Sequence, residues 1–463
     1  MQRYAVAVDQ STSASKVFLL DAQGEIVRQF SKNHRQTYPA PGHVEHDAAE
    51  IWQNVREGVA AVTAGLEPAQ IAALGISNQR ETTVLWDRAT GEPVCPAVVW
   101  QDVRGEALCA ELAAHAPEVR ACTGLALSPY YPAAKAASVL RARPELNARA
   151  AAGSLCIGTV DSYLIYRLTG GAVFATDVSN ASRTALCDLR TLRWDAQLCA
   201  LFGIPMDCLP RILPSDGDFG LIACDGLPAG IRITGVMGDS HASLFGQGCT
   251  APGMAKATFG TGSSVMLNVG AQPAFSQNGL SASVGFGFQG STCYVLEGNI
   301  TCSADTLCWL RDEAELVRDI DEVEALAATV PDTEGVYLVP AFSGLGAPYF
   351  DGAARAAVVG MNRGTRRAHL VRAALESIAY QDADVIAAMG RDSGAIPAEL
   401  RVDGGPTRNR LLMQFLADLL GCTVRCAAHS ELSALGAGYM AGLSAGLYAA
   451  LDQIPARAQG GAL

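Results

Sequence analysis

Residues 4–21 read YAVAVDQSTSASKVFLLD, and residues 255–269 read AKATFGTGSSVMLNV. In each, an apolar run meets a turn of small polar residues and a second apolar run follows, the pattern of a β-hairpin. Thr12 and Thr261 fall at like positions in the two turns. A hairpin repeated at this distance suggests a duplication of two related domains. The expected division is 1–246 and 247–463, with Pro252-Gly253 in the connection.

Outward from the first hairpin, strand and helix signals alternate. Ile26–Phe30 continues the meander. Asp47–Ala64 carries apolar residues at 51, 52, 55, 59, 60 and 62, a helical spacing, with Asp47 as N-cap and Glu50 placed for a capping box. Strand-like runs follow at Ile71–Ile76, Thr82–Trp86 and Ala97–Trp100. In the second half, His369–Met389 and Asn409–Leu420 read as helices, the latter closed by Gly421, and Leu400–Val402 as a short strand. Helices alternating with strands indicate an α/β architecture.

The composition excludes several classes. A chain of 463 residues that is 49% hydrophobic can bury the cores of two or three domains and is not disordered. A net charge of −12 argues against a duplex-binding protein, which needs a basic stripe. An anionic substrate would need local compensation from a metal or backbone N–H groups. The N-terminal apolar run ends at Asp9, too early for a signal peptide or a membrane span. The fourteen cysteines contain no CxxC pair, so free thiols in a cytoplasmic protein are expected. Ala434–Leu451 is 18 residues without a charge, but four are glycine and six alanine; a buried, closely packed helix is the expectation.

Three polar turns are suited to chemistry. Asp9–Lys16 exposes backbone N–H groups and hydroxyls that can cradle phosphate oxygens, and Asp9 could hold Mg²⁺. Phe259–Ser264 has the same character. Asp403-Gly404-Gly405 is a strand end opening onto a helix, where a nucleotide can approach the backbone. Gly285–Gly290 fits GxGxxG, but a strand follows it, so a hairpin turn is expected rather than a dinucleotide site. Asp239-Ser240-His241 contains triad residue types, yet consecutive side chains cannot converge as a triad. Asp239, after an apolar run and a glycine, suits a general base at the mouth of a cleft. The cluster Asn78–Thr82 could bind a polyhydroxylated ligand, Arg80 donating and Glu81 accepting. His34, His43 and His46 are read as surface or loop-ordering residues.

At these residues the chain resembles the FGGY carbohydrate kinases. The runs that carry the resemblance are GISNQRETTVLWDRATGEP (75–93), VVWQD (98–102), GTVDSYLIYRLTGG (158–171), TDVSNASRTALCDL (176–189), GMAKATFGTG (253–262), VPAFSGLGAPY (339–349), LRVDGG (400–405) and SALGAGYMAGL (433–443). The resemblance implies an actin-like ATPase fold, with two ribonuclease-H-like domains flanking a nucleotide cleft. It implies ATP with Mg²⁺, and a small polyol or sugar as the partner molecule. By matching motifs, Asp239 is the general base. Arg80, Glu81, Trp100, Tyr130, Asp239, Ser240 and Ser264 line the substrate site. Thr12, Ser13, Lys16, Gly260, Thr261, Ala304, Cys308, Gly405 and Asn409 hold the nucleotide, and Asp9 and Asp239 the metal.

Several positions depart from the family pattern. Ser11 stands where glycine is usual and Lys16 where arginine is usual. Ser240 and His241 replace two glutamines after the aspartate. Ser264 replaces a phenylalanine, and Ser138 a tryptophan that follows the first-domain lysine. Ala304 and Cys308 replace a glycine and a glutamine, and Gly226–Gly230 lacks the Gly-Gly-Thr-Arg run through which some members bind a sugar bisphosphate. The expected activity is ATP-dependent phosphorylation of a terminal hydroxyl of glycerol or a closely similar small polyol. Ser264 and Ser240 keep open an alternative, a four- or five-carbon polyol or ketose of the erythritol, xylulose or ribulose type. Ser11 keeps open a second, a non-catalytic sugar- or nucleotide-binding regulator. Homo-oligomerisation, as dimer or tetramer, is left open by the sequence.

Overall fold

The computed structural model describes residues 2–451 and 459–462. The chain forms two compact units. The first comprises residues up to Gly248, the segment Ser283–Tyr294 and, among the described residues, Glu431–Leu451; the second comprises Cys249–Ala282, Val295–Ser430 and the last described strand.

The first unit is built on strands β1 (Tyr4–Gln10), β2 (Ala14–Leu20), β3 (Ile26–Asn33), β4 (Ile71–Asn78) and β5 (Ile233–Gly238). Their order in the sheet is β5-β4-β1-β2-β3. β1 pairs antiparallel with β2 and parallel with β4, and β4 pairs parallel with β5. Central strands covered on both faces lose the in–out alternation, and β1 is accordingly buried from Ala5 to Gln10. The edge strand β3 is mostly exposed.

The helix Ala48–Thr63 covers this sheet with Ile51, Val55, Val59 and Val62, one face at helical spacing. Asp47 caps it, accepting from the Ala49 N–H at 2.8 Å. The expected capping box does not form: the Glu50 carboxylate turns instead to the backbone N–H of Arg35, at 3.4 Å.

The Leu432–Ser444 helix of the first unit explains the alanine- and glycine-rich run. Its backbone lies directly on the sheet and on the Asp239–Gly246 helix. A Cβ at Gly436 would stand 1.9 Å from the Ala242 carbonyl oxygen, and one at Gly75 would stand 2.3 Å from that of Ala437. Only glycine permits such approach. Among the described residues no helix is long and apolar enough to cross a membrane.

A second sheet comprises β6 (Ala255–Phe259), β7 (Ser263–Gly270), β8 (Ser281–Phe288), β9 (Ser291–Ile300), β10 (Glu399–Gly404), β11 (Thr423–Ala427) and β12 (Gln459–Ala462), of which Ser283–Phe288 and Ser291–Tyr294 are counted with the first unit and the rest with the second. The order is β8-β9-β7-β6-β10-β11-β12. β6 pairs antiparallel with β7 and parallel with β10, and β10 parallel with β11. These pairings repeat those of β1 with β2, β1 with β4 and β4 with β5. The GxGxxG run ends in the β8–β9 turn, at Gln289 and Gly290, both with positive φ, as a two-residue hairpin requires. The long helix Arg367–Ser393 packs against this sheet, and Asn409 caps the helix Arg410–Leu420, which ends at left-handed Gly421. All fourteen cysteines are free.

Gly436→Ala tests the helix contact. Urea unfolding is expected to show a loss of about 1–3 kcal/mol, the usual cost of overpacking a filled core. An unchanged midpoint contradicts the backbone-on-backbone packing.

Candidate active site

In the first unit, three parallel strands deliver polar residues from their C-terminal ends. Asp9 of β1 lies beside Ser77 of β4, and Gly238, the last residue of β5, lies beside Asn78. Arg80 and Asp239 follow directly after β4 and β5. The shared strand direction therefore gathers Asp9, Arg80 and Asp239 at one edge, where ligands bind in open α/β sheets.

Arg80 Nε meets Asp239 Oδ1 at 3.1 Å, with Arg80 buried and Asp239 about a third exposed. Gly238 makes room for this pair: a Cβ there would lie 2.6 Å from Arg80 Cγ. Asp239 opens the helix Asp239–Gly246. Its Oδ1 accepts from the Ser240 N–H at 2.6 Å, and its carbonyl accepts from Ser433 Oγ at 3.0 Å. Ser240 is half-buried beside it, and His241 is buried against Ser283, ring nitrogen to Oγ at 3.1 Å.

Glu81 is the most strained residue of the group, with φ of 61°. Its carboxylate accepts from Arg183 Nε at 2.6 Å, and both side chains are almost fully buried. Trp100 stands edge-on to Tyr130, ring centroids 5.9 Å apart. Its backbone N–H donates to Thr82 Oγ1 at 3.1 Å and its indole N–H to Thr12 Oγ1 at 2.9 Å. Thr12 thus ties the first turn to the aromatic wall.

The first turn is closed by Ser11, whose N–H and hydroxyl both donate to the Ala14 carbonyl, at 2.9 and 3.0 Å. Ser11 has no positive φ, so serine is accommodated without left-handed strain. Ser13 is exposed at the tip. Lys16 Nζ reaches both oxygens of Glu431, at 2.8 and 3.0 Å, so its charge is already matched. His34 and His46 are buried, which corrects their reading as surface residues; His43 is half-buried. The two rings meet edge-on, with centroids 4.7 Å apart. His34 does order the loop, its Nε2 lying 2.9 Å from the Thr12 carbonyl.

Asp9 is buried and accepts from Ser77 Oγ at 2.9 Å. Burial, with the Asp239 and Glu431 carboxylates adding to it, pushes its carboxyl up to about 7. A buried carboxylate pushed up in this way, with a second carboxylate acting on it, offers hard oxygen donors that fit a divalent cation of the Mg²⁺ type, which keeps several ligands for water and phosphate. Among the described residues no group of three or more His, Cys, Asp or Glu could hold a metal by protein alone.

In the second unit, β6 and β10 run parallel with Phe259 beside Gly404, so the Gly260–Gly262 turn and Gly404-Gly405 follow from the same end of the sheet. The Gly260 and Thr261 carbonyls accept from the N–H groups of Ala304 and Ser303, at 3.0 and 2.8 Å, which joins this turn to the start of the Ala304–Asp312 helix. Cys308 is half-buried one turn further on. A Cβ at Gly405 would meet nothing within 4 Å, so its backbone faces open space. The Asn409 side chain is engaged as helix cap, accepting from the Leu412 N–H at 2.9 Å. Ser264 Oγ donates to Glu297 at 3.1 Å.

Sequence reasoning missed Arg183, Lys135 and Glu431. Arg183 lies in the run TDVSNASRTALCDL (176–189), 102 residues from the glutamate it pairs with.

Strand ends that gather an arginine and two carboxylates, in a duplicated α/β framework, match a phosphotransferase of the actin-like ATPase fold. The chain belongs to the FGGY family of carbohydrate kinases: its N-terminal-domain model matches residues 4–246 and its C-terminal-domain model residues 255–445. It is 48% identical over 455 residues to a glycerol kinase of Aromatoleum aromaticum, covering 97% of this chain and 92% of that one. It is 49% identical over 446 residues to one of Alkalilimnicola ehrlichii, covering 96% and 90%. The structure of a Plasmodium falciparum glycerol kinase with ADP superposes with a TM-score of 0.95 at 34% identity, over 100% of this chain and 94% of that one. The chain is a glycerol-kinase-like carbohydrate kinase.

Arg183→Met tests the buried Glu81 pair. Leaving one charge unpaired is expected to cost about 3–5 kcal/mol in urea unfolding. A loss below about 1 kcal/mol, the size of an exposed pair, contradicts the pair's buried role.

Proposed function

We propose that this chain transfers the γ-phosphoryl group of ATP to a terminal hydroxyl of glycerol. The observation that carries the reading is the Arg80–Asp239 pair at the ends of parallel strands, beside the Trp100–Tyr130 wall. Polyol carbons pack against the aromatic rings, while Arg80 donates to and Glu81 accepts from adjacent hydroxyls. Asp239 takes the proton of the attacking hydroxyl. That oxygen forms the new bond to the γ-phosphorus as the bond to the β-phosphate oxygen breaks, and ADP leaves. Phosphoryl transfer depends on positioning and charge neutralisation, so the protein supplies little covalent chemistry.

Asp9 and Asp239 would hold Mg²⁺, which neutralises the β- and γ-phosphate oxygens when bound. The Thr12 and Ser13 turn contributes N–H and hydroxyl donors to the phosphates. Gly260, Thr261, Ala304, Cys308, Gly405 and Asn409 contribute to holding the nucleotide. Ser240 lies next to the base, and Ser264 offers a hydroxyl already bound to Glu297.

Turnover of a polyol panel with Mg-ATP tests the substrate. Glycerol is expected to give the highest kcat/KM. Turnover of a four- or five-carbon polyol or ketose with none of glycerol overturns the assignment. No ATP-dependent turnover on any of them favours a binding protein. Asp239→Asn should cut kcat by roughly 10²–10⁴, the contribution of a general base, while ATP still binds. Near-normal turnover in that variant removes Asp239 from the role of base.

A further inference from the structure

Lys135 lies in the first turn of the Pro132–Ala142 helix, and its side chain is fully buried. Its position opposes ordinary electrostatics twice. A helix N-terminus disfavours a cation, and burial disfavours any charge. No carboxylate stands within ion-pair distance of Nζ among the described residues; Glu81 and Asp102 act on it only at longer range. Burial pulls the ammonium down to about 7.

The donors of this ammonium go to the segment just before the helix. Nζ donates to the Pro129 carbonyl at 2.9 Å and to the Tyr130 carbonyl. The same nitrogen stands 5.6 Å from the centroid of the Tyr130 ring. The lysine therefore grips both the backbone and the ring of one residue. Tyr130 in turn meets Trp100 edge-on at 5.9 Å and Tyr131 at 5.3 Å. The row is pinned at its other members too. Trp100 is held by Thr82 and Thr12. The Arg183 guanidinium that pairs with Glu81 lies 5.4 Å from the Tyr131 ring.

We propose that Lys135 is a positioning residue for the polyol. It sets the place and tilt of Tyr130, and so the aromatic wall, without touching substrate. This rests on the reading that Trp100 and Tyr130 form the polyol wall. A neutral donor could close the Ser128–Tyr131 turn. The buried cation adds a contact with the ring that a turn staple does not need.

Lys135→Met keeps most of the apolar stem and removes the charge and the donors. Its KM for glycerol is expected to rise about ten-fold, the size of one desolvated cation–ring contact. Its kcat and its KM for ATP should stay within about three-fold, a split that general loosening does not produce. Lys135→Gln, of similar length to methionine but still a neutral donor, should fall between. Should the methionine variant fail to fold, the glutamine variant carries the same comparison. Equal rises in both KM values, or a lower melting temperature with unchanged kinetics, reduce Lys135 to a turn staple and overturn the proposal. If the wild type phosphorylates no polyol, the kinase reading fails on its own. Near-ultraviolet circular dichroism then decides for Lys135: a changed aromatic signal in folded Lys135→Met supports its hold on the wall, and an unchanged one refutes it.

Discussion

The first unit depends on one close approach, the backbone of the Leu432–Ser444 helix against β4, β5 and the Asp239–Gly246 helix. Glycine is required on both sides of that contact, at Gly75 and at Gly436, because any side chain would enter a carbonyl oxygen. The consequence reaches the site. Glu431, directly before the helix, holds Lys16 of β2. Ser433, in its first turn, holds the carbonyl of Asp239. A segment more than 400 residues from the first strand therefore fixes the charge on one side of the first turn and the backbone of Asp239.

The site shows how much a parallel sheet accomplishes by direction alone. β1, β4 and β5 end together, so Asp9, Arg80 and Asp239 meet although sequence separates them widely. Their charges are then arranged in opposition. Arg80 answers Asp239, while Asp9 accepts from a serine hydroxyl and is pushed toward protonation. A site left with surplus carboxylate suits a cation that arrives with its substrate. The acidic chain and an anionic nucleotide are compatible for this reason. On the proposed reading, metal and backbone N–H groups would meet the phosphates locally while the bulk surface stays negative.

What the sequence revealed was local or repetitive. The Asp47 cap, the Gly421 stop and the β8–β9 turn are written in neighbouring residues, and the structure keeps them. The duplicated hairpin was visible because β1–β2 and β6–β7 carry the same turn chemistry, and the pairing pattern repeats with it. The glycine-rich run was legible as a packed helix because its hydrophobicity is too low for a membrane. Partnerships across the chain were hidden. The pairs Lys16–Glu431 and Glu81–Arg183 join residues 415 and 102 positions apart. No local pattern tells a buried lysine from a solvated one, which is why Lys135 passed unnoticed. His34 and His46 looked like loop residues because proline and glycine surround them, yet folding turns both rings inward. The Glu50 capping box failed for a related reason, since Arg35, brought near by β3, offers the carboxylate another donor.

The central claim is that these strand ends direct the γ-phosphoryl group to a primary hydroxyl rather than to water. Phosphorus-31 NMR of the protein with Mg-ATP and glycerol measures that choice directly. The account predicts a phosphate monoester on a terminal carbon of glycerol, formed in step with ADP. ADP accompanied only by inorganic phosphate, or ATP left intact, would contradict it.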